Sequence, residues 1–341
     1  MNQVINAFNH HRVNRVTWLS QVKRAAGLAL ISTIATAFAF AGETINEEAV
    51  TSSTPNIEIE HVTGVATIKG WNKDQVKVTG ELGKLSEKFI FEHDDNNVLI
   101  KIETKRYKQD WRSGDVSKGD KLTIFVPERS KISYTGVIAN VEASELKSDG
   151  KFELVNGELS LTDLSGRLKV ESVNADVAMK NLTGVLSVET VNGDISGNHR
   201  GSDDVRLMTV NGDIDFTAQT PTVAIESVNG DANITLGEIR SLSLTTVNGD
   251  MTASLNLLDD GDIDASSVGG TLSLNFQRQV SARFELQAHA GGDIKNRLSD
   301  DKPSAAKYGP SKWLNFNFNG GKGRVDMSTV NGELRIGTSG K

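Results

Sequence analysis

The residues of this 341-residue chain best placed to do chemistry are carboxylates and amides that recur at a fixed spacing. Glu158, Asp176, Asp194, Asp213, Asp231 and Asp250 follow one another at intervals of 18 or 19 residues. Asn156, Asn174, Asn192, Asn211, Asn229 and Asn248 each precede one of these acids by two. Clustered oxygen ligands are what calcium takes, so Asp176, Asp194, Asp213, Asp231 and Asp250 are weak cation candidates. The glycine-rich nonapeptide calcium repeat is absent, however, and solvated turn acids are the favoured reading. If the acids stack about 4.8 Å apart, neighbours repel by roughly 0.9 kcal/mol in bulk water. Turn N–H groups, salt or bound cations must offset that. The asparagines, stacked in the same way, can bond amide to amide as a structural ladder. No cofactor site is expected.

Two other groupings carry chemistry. Asp213, Asp215, Asp231 and Arg206 are the set that paired-carboxylate attack on a polysaccharide would need. The outward positions Lys169, Ser187, Arg206, Ala224 and Ser243 are mixed and mostly small, and the repeats lack sugar-stacking aromatics. The expectation is therefore no enzyme, with a polysaccharide-acting β-helix lyase or hydrolase as the alternative. Lys105, Arg106, Tyr107, Lys108 and Trp111 form a basic and aromatic stretch suited to an anionic glycan or a protein partner; its bland reading is a charged hairpin loop. Tyr308 and Trp313 mark a weaker second contact. The six histidines show no metal-ligand spacing, and without cysteine there is neither a disulfide nor a thiol nucleophile.

The elements that position these residues follow from an internal repeat. Val-Asn-Gly begins at Val155, Val191, Val210, Val228, Val247 and Val330, with degenerate copies at Val173 and Val268. Apolar residues recur five and three positions before these valines, Ser or Thr stands just before seven of the eight, and an acid with alternating apolar residues generally follows. Alternation on both sides predicts two short strands, each with one buried face. Asn-Gly supplies the positive φ of a sharp corner, Leu164-Ser165-Gly166 and Leu182-Thr183-Gly184 mark a second corner, and the Ser/Thr column is read as a solvent-edge row. An antiparallel meander also fits Asn-Gly turns, but only coiling requires the same residue type at the same place every turn. The fold expected is all-β, a parallel β-solenoid, right-handed and β-helix-like, with 18–19-residue coils.

Residues 1–41 carry Arg12, Arg15, Lys23 and Arg24, no acid, and an apolar run closing at Ala39-Phe40-Ala41. That pattern predicts a cleaved signal peptide. Its removal takes the net charge from −7 to −11, a poor balance for nucleic acid or anionic lipid. No transmembrane helix is expected in the mature chain. Residues 42–54 read as a linker, 55–130 as an N-terminal β region or cap, and 131–338 as solenoid repeats with a polar loop at 296–312. Gly70-Trp71-Asn72-Lys73-Asp74-Gln75-Val76-Lys77-Val78, Val126-Pro127, the Val-Asn-Gly repeats and Gly323-Arg324-Val325 together resemble the putative-adhesin β-strand-repeat family of bacterial cell-envelope proteins. They also look similar to auto-transporter-adhesin head domains. The resemblance implies a non-catalytic, exported adhesin-like or scaffolding solenoid, periplasmic or on the cell surface, whose partner is an envelope or surface component, protein or glycan.

Overall fold

A computed structural model of the chain describes residues 37–39, 44–104 and 116–338. Most of them are strand, and most neighbouring strands are parallel. The fold is the parallel β-solenoid that the repeat implies.

The central coils show why. Strands β8 (Lys131–Ser144), β9 (Gly150–Thr162) and β10 (Leu168–Leu182) each run through the corner, which is Val-Asn-Gly in β9, Val137-Ile138-Ala139 in β8 and Val173-Asn174-Ala175 in β10. They stack in parallel, Asn156 beside Asn174 and Glu158 beside Asp176. From there each coil is two strands in two rows. One row continues through β11 (Leu186–Glu189), β13 (Val205–Asn211) and β15 (Thr222–Asn229). The other continues through β12 (Ile195–Arg200) and β14 (Ile214–Gln219). The longer strands β16 (Ala232–Asn248) and β17 (Met251–Ser267) pass from one row to the other, and β18 (Thr271–Phe276) completes the coil. Inward positions such as Val170, Val188, Leu207, Ile225 and Leu244 are buried over one another. At about 1.5–3 kcal/mol for each fully buried aliphatic side chain, this spine opposes the entropy cost of ordering the coils.

One expectation about the corner is corrected and a second is refined. The Ser/Thr column does not lie at the solvent edge: Ser172, Thr190, Thr209, Ser227, Thr246, Ser267 and Thr329 are all buried. Alternation explains this, because a residue one before Val shares its face with those three and five before it. The Val itself points outward and is half-buried. Positive φ is only part of the reason for the corner glycine: Gly157 and Gly230 adopt it (φ 134° and 148°), whereas Gly193, Gly212, Gly249 and Gly332 do not. A second cause is steric, since a Cβ on Gly212 would sit 2.2 Å from the carbonyl oxygen of Gly193 in the preceding coil. Close approach of stacked backbones demands the glycine. Non-glycine residues in the left-handed region stand at the second corner, at Glu145, Asp163 and Asn181 (φ 59°, 55° and 55°).

The ends depart from sequence order. Upstream, β1 (Ala37–Ala39) is followed by β2 (Thr44–Val50), β3 (Asn56–Trp71), β4 (Gln75–Glu81), β5 (Ser86–His93), β6 (Asn97–Thr104) and β7 (Asp120–Pro127). One edge of β3 pairs in parallel with β8 and the other with β6 and β7, so β6 and β7 form an outer coil. Antiparallel β4 and β5 close that coil, and β2 pairs with β4. Residues 42–54 are therefore not merely a linker, since they contain β2 with Ile45 and Ala49 buried. The proposed leader, 1–41, lies outside the described residues except for β1, which pairs with Phe89–Phe91 of β5.

Downstream, β19 (Ala282–Ala288) and β20 (Asp293–Asn296) form the outermost coil, and β21 (Ser304–Ala305) and β22 (Lys312–Phe318) follow. Strand β22 runs antiparallel to β19, with Phe316 stacked on Phe284 at 4.8 Å. The last segment, β23 (Gly323–Thr329) and β24 (Glu333–Thr338), does not end the stack. It lies between β17/β18 on one side and β19/β20 on the other.

Candidate functional site

The polar columns stand at the Val-Asn-Gly corner. Each asparagine Nδ2 donates to Oδ1 of the asparagine one coil before it: Asn174 to Asn156, Asn192 to Asn174 and Asn211 to Asn192 at 2.7 Å, Asn229 to Asn211 at 2.8 Å, Asn248 to Asn229 at 3.0 Å. Both amide functions are used, so the row is polarised in one direction along the stack.

The acids beside it are bound differently. The backbone N–H of Asp194 donates to Asp176 Oδ1, and those of Asp213, Asp231 and Asp250 to the acid one coil before, at 2.8–2.9 Å. Thr271 N–H donates to Asp250 Oδ1 at 2.6 Å. A hydrogen bond to a charged acceptor contributes about 1.5–3 kcal/mol, more than the roughly 0.9 kcal/mol of repulsion between screened neighbours. Turn N–H groups thus offset the column. Among the described residues no three histidines or carboxylates gather as a metal site.

The remaining candidates separate. Arg206 Nη2 reaches Glu226 Oε1 at 2.6 Å, on the face where Lys169 pairs with Glu171 and Lys151 with Glu153. The hydrogen bond to Glu171 raises the Lys169 pKa above its usual value. Asp213 and Asp231 are joined through the corner instead, so Arg206 is not gathered with them into a hydrolytic set. Lys105, Arg106, Tyr107, Lys108 and Trp111 lie outside the described residues. Tyr308 and Trp313 are exposed.

One polar cluster was not anticipated. His61 of β3 lies between Tyr134 of β8, with Nδ1 2.9 Å from the phenol oxygen, and Asp120 of β7, with Nε2 3.4 Å from Oδ2. Asp120 Oδ1 accepts from Ser86 Oγ and from Gly83 N–H. All four side chains are fully buried. Burial, and secondarily the Asp120 charge, pushes the Tyr134 hydroxyl well above the ordinary tyrosine range. With no exposed edge, the set joins the outer coil to the first inner one and offers no place for a substrate. Alternation was the available signal: His61 shares parity with Ile57 and Ile59, and Asp120 with Leu122 and Ile124.

With coil, corner and cap in view, the comparison with known families is decisive. The family model described as Toastrack DUF4097 matches residues 54–336. This chain belongs to the Toastrack DUF4097 family. The match spans the cap as well as the repeats, in keeping with the resemblance drawn from Trp71 and its neighbours. Among solved structures, this Toastrack chain is similar to a putative adhesin from Parabacteroides distasonis (13% identity, 69% of this chain and 97% of that one, TM-score 0.47). It is also similar to a putative adhesin from Bacteroides fragilis (14%, 86% and 97%, TM-score 0.32). A third is a putative cell adhesion protein from Clostridium sporogenes (11%, 87% and 100%, TM-score 0.19). No curated relative matches the chain. No helix among the described residues is long and apolar enough to cross a membrane.

Proposed function

We propose that this Toastrack chain is an exported, non-catalytic, adhesin-like or scaffolding solenoid of the bacterial envelope. The observation that carries the reading is the unbroken amide row from Asn156 to Asn248, in register with the acids beside it. Such a surface repeats its chemistry at every coil and suits distributed contact with an extended partner better than turnover at one centre. The basic leader with its apolar run supports export, and the acidic balance argues against nucleic acid. The proposed contacts at Lys105–Trp111 and the polar excursion at 296–312 would add loop-borne recognition on a rigid frame.

Fractionation of cells making the full chain, followed by external protease on intact cells, tests the reading. Recovery with the envelope and cleavage from outside are expected for surface display; recovery with the envelope but protection until the outer layer is opened is expected for a periplasmic scaffold. Retention in the cytoplasm would overturn export.

A further inference from the structure

We infer that the junction between the cap and the first coils holds a binding site for a neutral saccharide, centred on Trp71. The inference rests on the adhesin-like reading and supplies it with a ligand class and a place. A groove of about 460 Å³ opens there, between the end of β3, the end of β7 and the second-corner turns after β8 and β9. Trp71 and Phe125 line it as a stacked pair, ring centroids 5.2 Å apart and planes 25° from parallel. Both are half-buried. Trp71 Nε1 donates to the Gln75 carbonyl at 2.7 Å, which fixes the ring's orientation. Elsewhere the aromatic contacts are mostly inward; here an oriented aromatic surface faces a groove, and such surfaces are the usual apolar component of a small-molecule site.

The polar lining selects the ligand. Lys69 pairs with Glu145 at 3.0 Å and Lys147 with Glu128 at 2.7 Å. Asp163 completes the lining and accepts from Asn181 Nδ2 at 3.0 Å. Two ammonium groups in the lining thus face three carboxylates, and Lys73 over the Trp71 ring brings the charges into balance. An anionic ligand gains no net attraction and must break a pair to enter. A neutral polyol can instead accept from the ammonium groups and donate to the carboxylates while its C–H face lies on the rings.

The backbone holds these groups in place. Glu145 and Asp163 sit in the left-handed region, a conformation that costs a non-glycine residue free energy and marks sites where surroundings over-determine it. Gly70 makes the approach possible, since a Cβ there would come within 1.8 Å of the Glu145 carbonyl oxygen. Lys73, itself exposed, lies 4.7 Å from the Trp71 ring centroid and is free to yield that surface to a sugar.

The test is retention of the purified full chain on an array of neutral and acidic oligosaccharides, with Trp71→Ala, Trp71→Phe and Asp163→Asn beside the parent. Neutral oligosaccharides should be retained, Trp71→Ala should weaken retention at least tenfold, and Trp71→Phe should keep part of it. Asp163→Asn, on an exposed turn, should weaken retention without altering the circular dichroism spectrum, which guards against misfolding of the Trp71 variants. Absence of any neutral ligand, preference for acidic sugars, or retention unchanged in both Trp71→Ala and Asp163→Asn would overturn the site. Placement is read separately: a cytoplasmic chain that still holds a neutral sugar would refute the envelope reading and keep this one.

Discussion

Between Gly150 and Phe276 each coil stacks on the coil that precedes it in the chain, whereas at both ends the chain leaves the stack and comes back inside it. Upstream it leaves after β3, builds the outer β6/β7 coil with its antiparallel partners, and returns as β8 on the other edge of β3. Downstream it leaves after β18, builds β19/β20 and the antiparallel β22, and returns as β23/β24 beneath them. A parallel stack has an exposed edge at each end, ready to pair with another chain. Antiparallel strands cover those edges, and the returning segment ties each cover to the coils. Periodicity therefore reports which residues stack in a coil, but the order of coils is set by how the ends are closed.

Removing a returning segment should break the comparison most severely. Truncation after Lys322 deletes the coil that separates β17/β18 from β19/β20. The outer coil and its hairpin should then detach, leaving a chain that aggregates or is rapidly trimmed by protease from its C-terminus. Deletion of residues 212–229 removes a comparable length from the middle but joins Asn211 to Gly230 in register. In a nearest-neighbour stack this variant should still melt in one transition, within about 5 °C of the parent. Equal damage from both, followed by thermal unfolding and limited proteolysis, would refute the distinction.

The next largest effect is expected in the upstream closure. Asp120→Ala leaves His61 and the Ser86 hydroxyl without their buried partner, and loss of one member of a buried pair typically costs about 3–5 kcal/mol. Loss of a half-buried mid-stack pair at the surface, Arg206→Ala facing Glu226, should cost about 1 kcal/mol. Urea midpoints give both values. The same cluster predicts an alkaline limit. Tyr134 has a folded-state pKa raised by burial, so its contribution is fully present below the ordinary tyrosine value of about 10 and is lost as pH rises beyond it. Tyr134→Phe should flatten that decline.

How much of this the residues disclosed differs by region. The 18–19-residue spacing contained the coil, its two strands and its columns, because every coil in the middle solves the same packing problem. Alternation also contains the burial of Ser172, Thr209, His61 and Asp120, but polar side chains at inward positions read locally like surface residues until the register of the coil is known. The closure at each end was beyond reach. Nothing local in Gly323–Thr338 says that it pairs with β17 on one edge and β19 on the other, since its pattern is that of any coil. Nor did β2 announce itself: Ile45 and Ala49 lie four apart among acids, too sparse an alternation to outweigh the polarity of residues 42–54. The Trp71 groove joins β3 to turns some 75–90 residues downstream, a proximity created only when β8 returns beside β3.

Within the middle, steric demand at the corner can be separated from general glycine cost. A Cβ on Gly212 would meet the Gly193 carbonyl oxygen at 2.2 Å, while one on Gly237 would find its nearest atom at 3.6 Å. Neither residue is in the left-handed region. Gly212→Ala should therefore destabilise by about 1–3 kcal/mol, the range for forced overpacking, and Gly237→Ala should stay within about 0.5 kcal/mol of the parent. Similar losses at the two positions would mean that the corner does not impose its glycine through stacking.

The smallest expected change runs in the opposite direction and sits where the middle meets the downstream end. Between Asn248 and Asn331 the coil order places Gly269, so the amide row is interrupted for one coil. A Cβ on Gly269 would lie 3.5 Å from Asn331 Oδ1 and 3.9 Å from Asn248 Oδ1, ordinary contacts, and its backbone is not left-handed. Its N–H already donates to the Val247 carbonyl at 2.8 Å, as Asn211 N–H does to that of Val191. Gly269→Asn should then bridge the gap, donating to Asn248 and accepting from Asn331. One net hydrogen bond contributes about 0.5–1.5 kcal/mol, so the urea midpoint should rise slightly, and the gain should vanish when Asn331→Ala is added. A gain that survives that second change would come from the loss of glycine flexibility alone, and the ladder would then add nothing measurable at this coil.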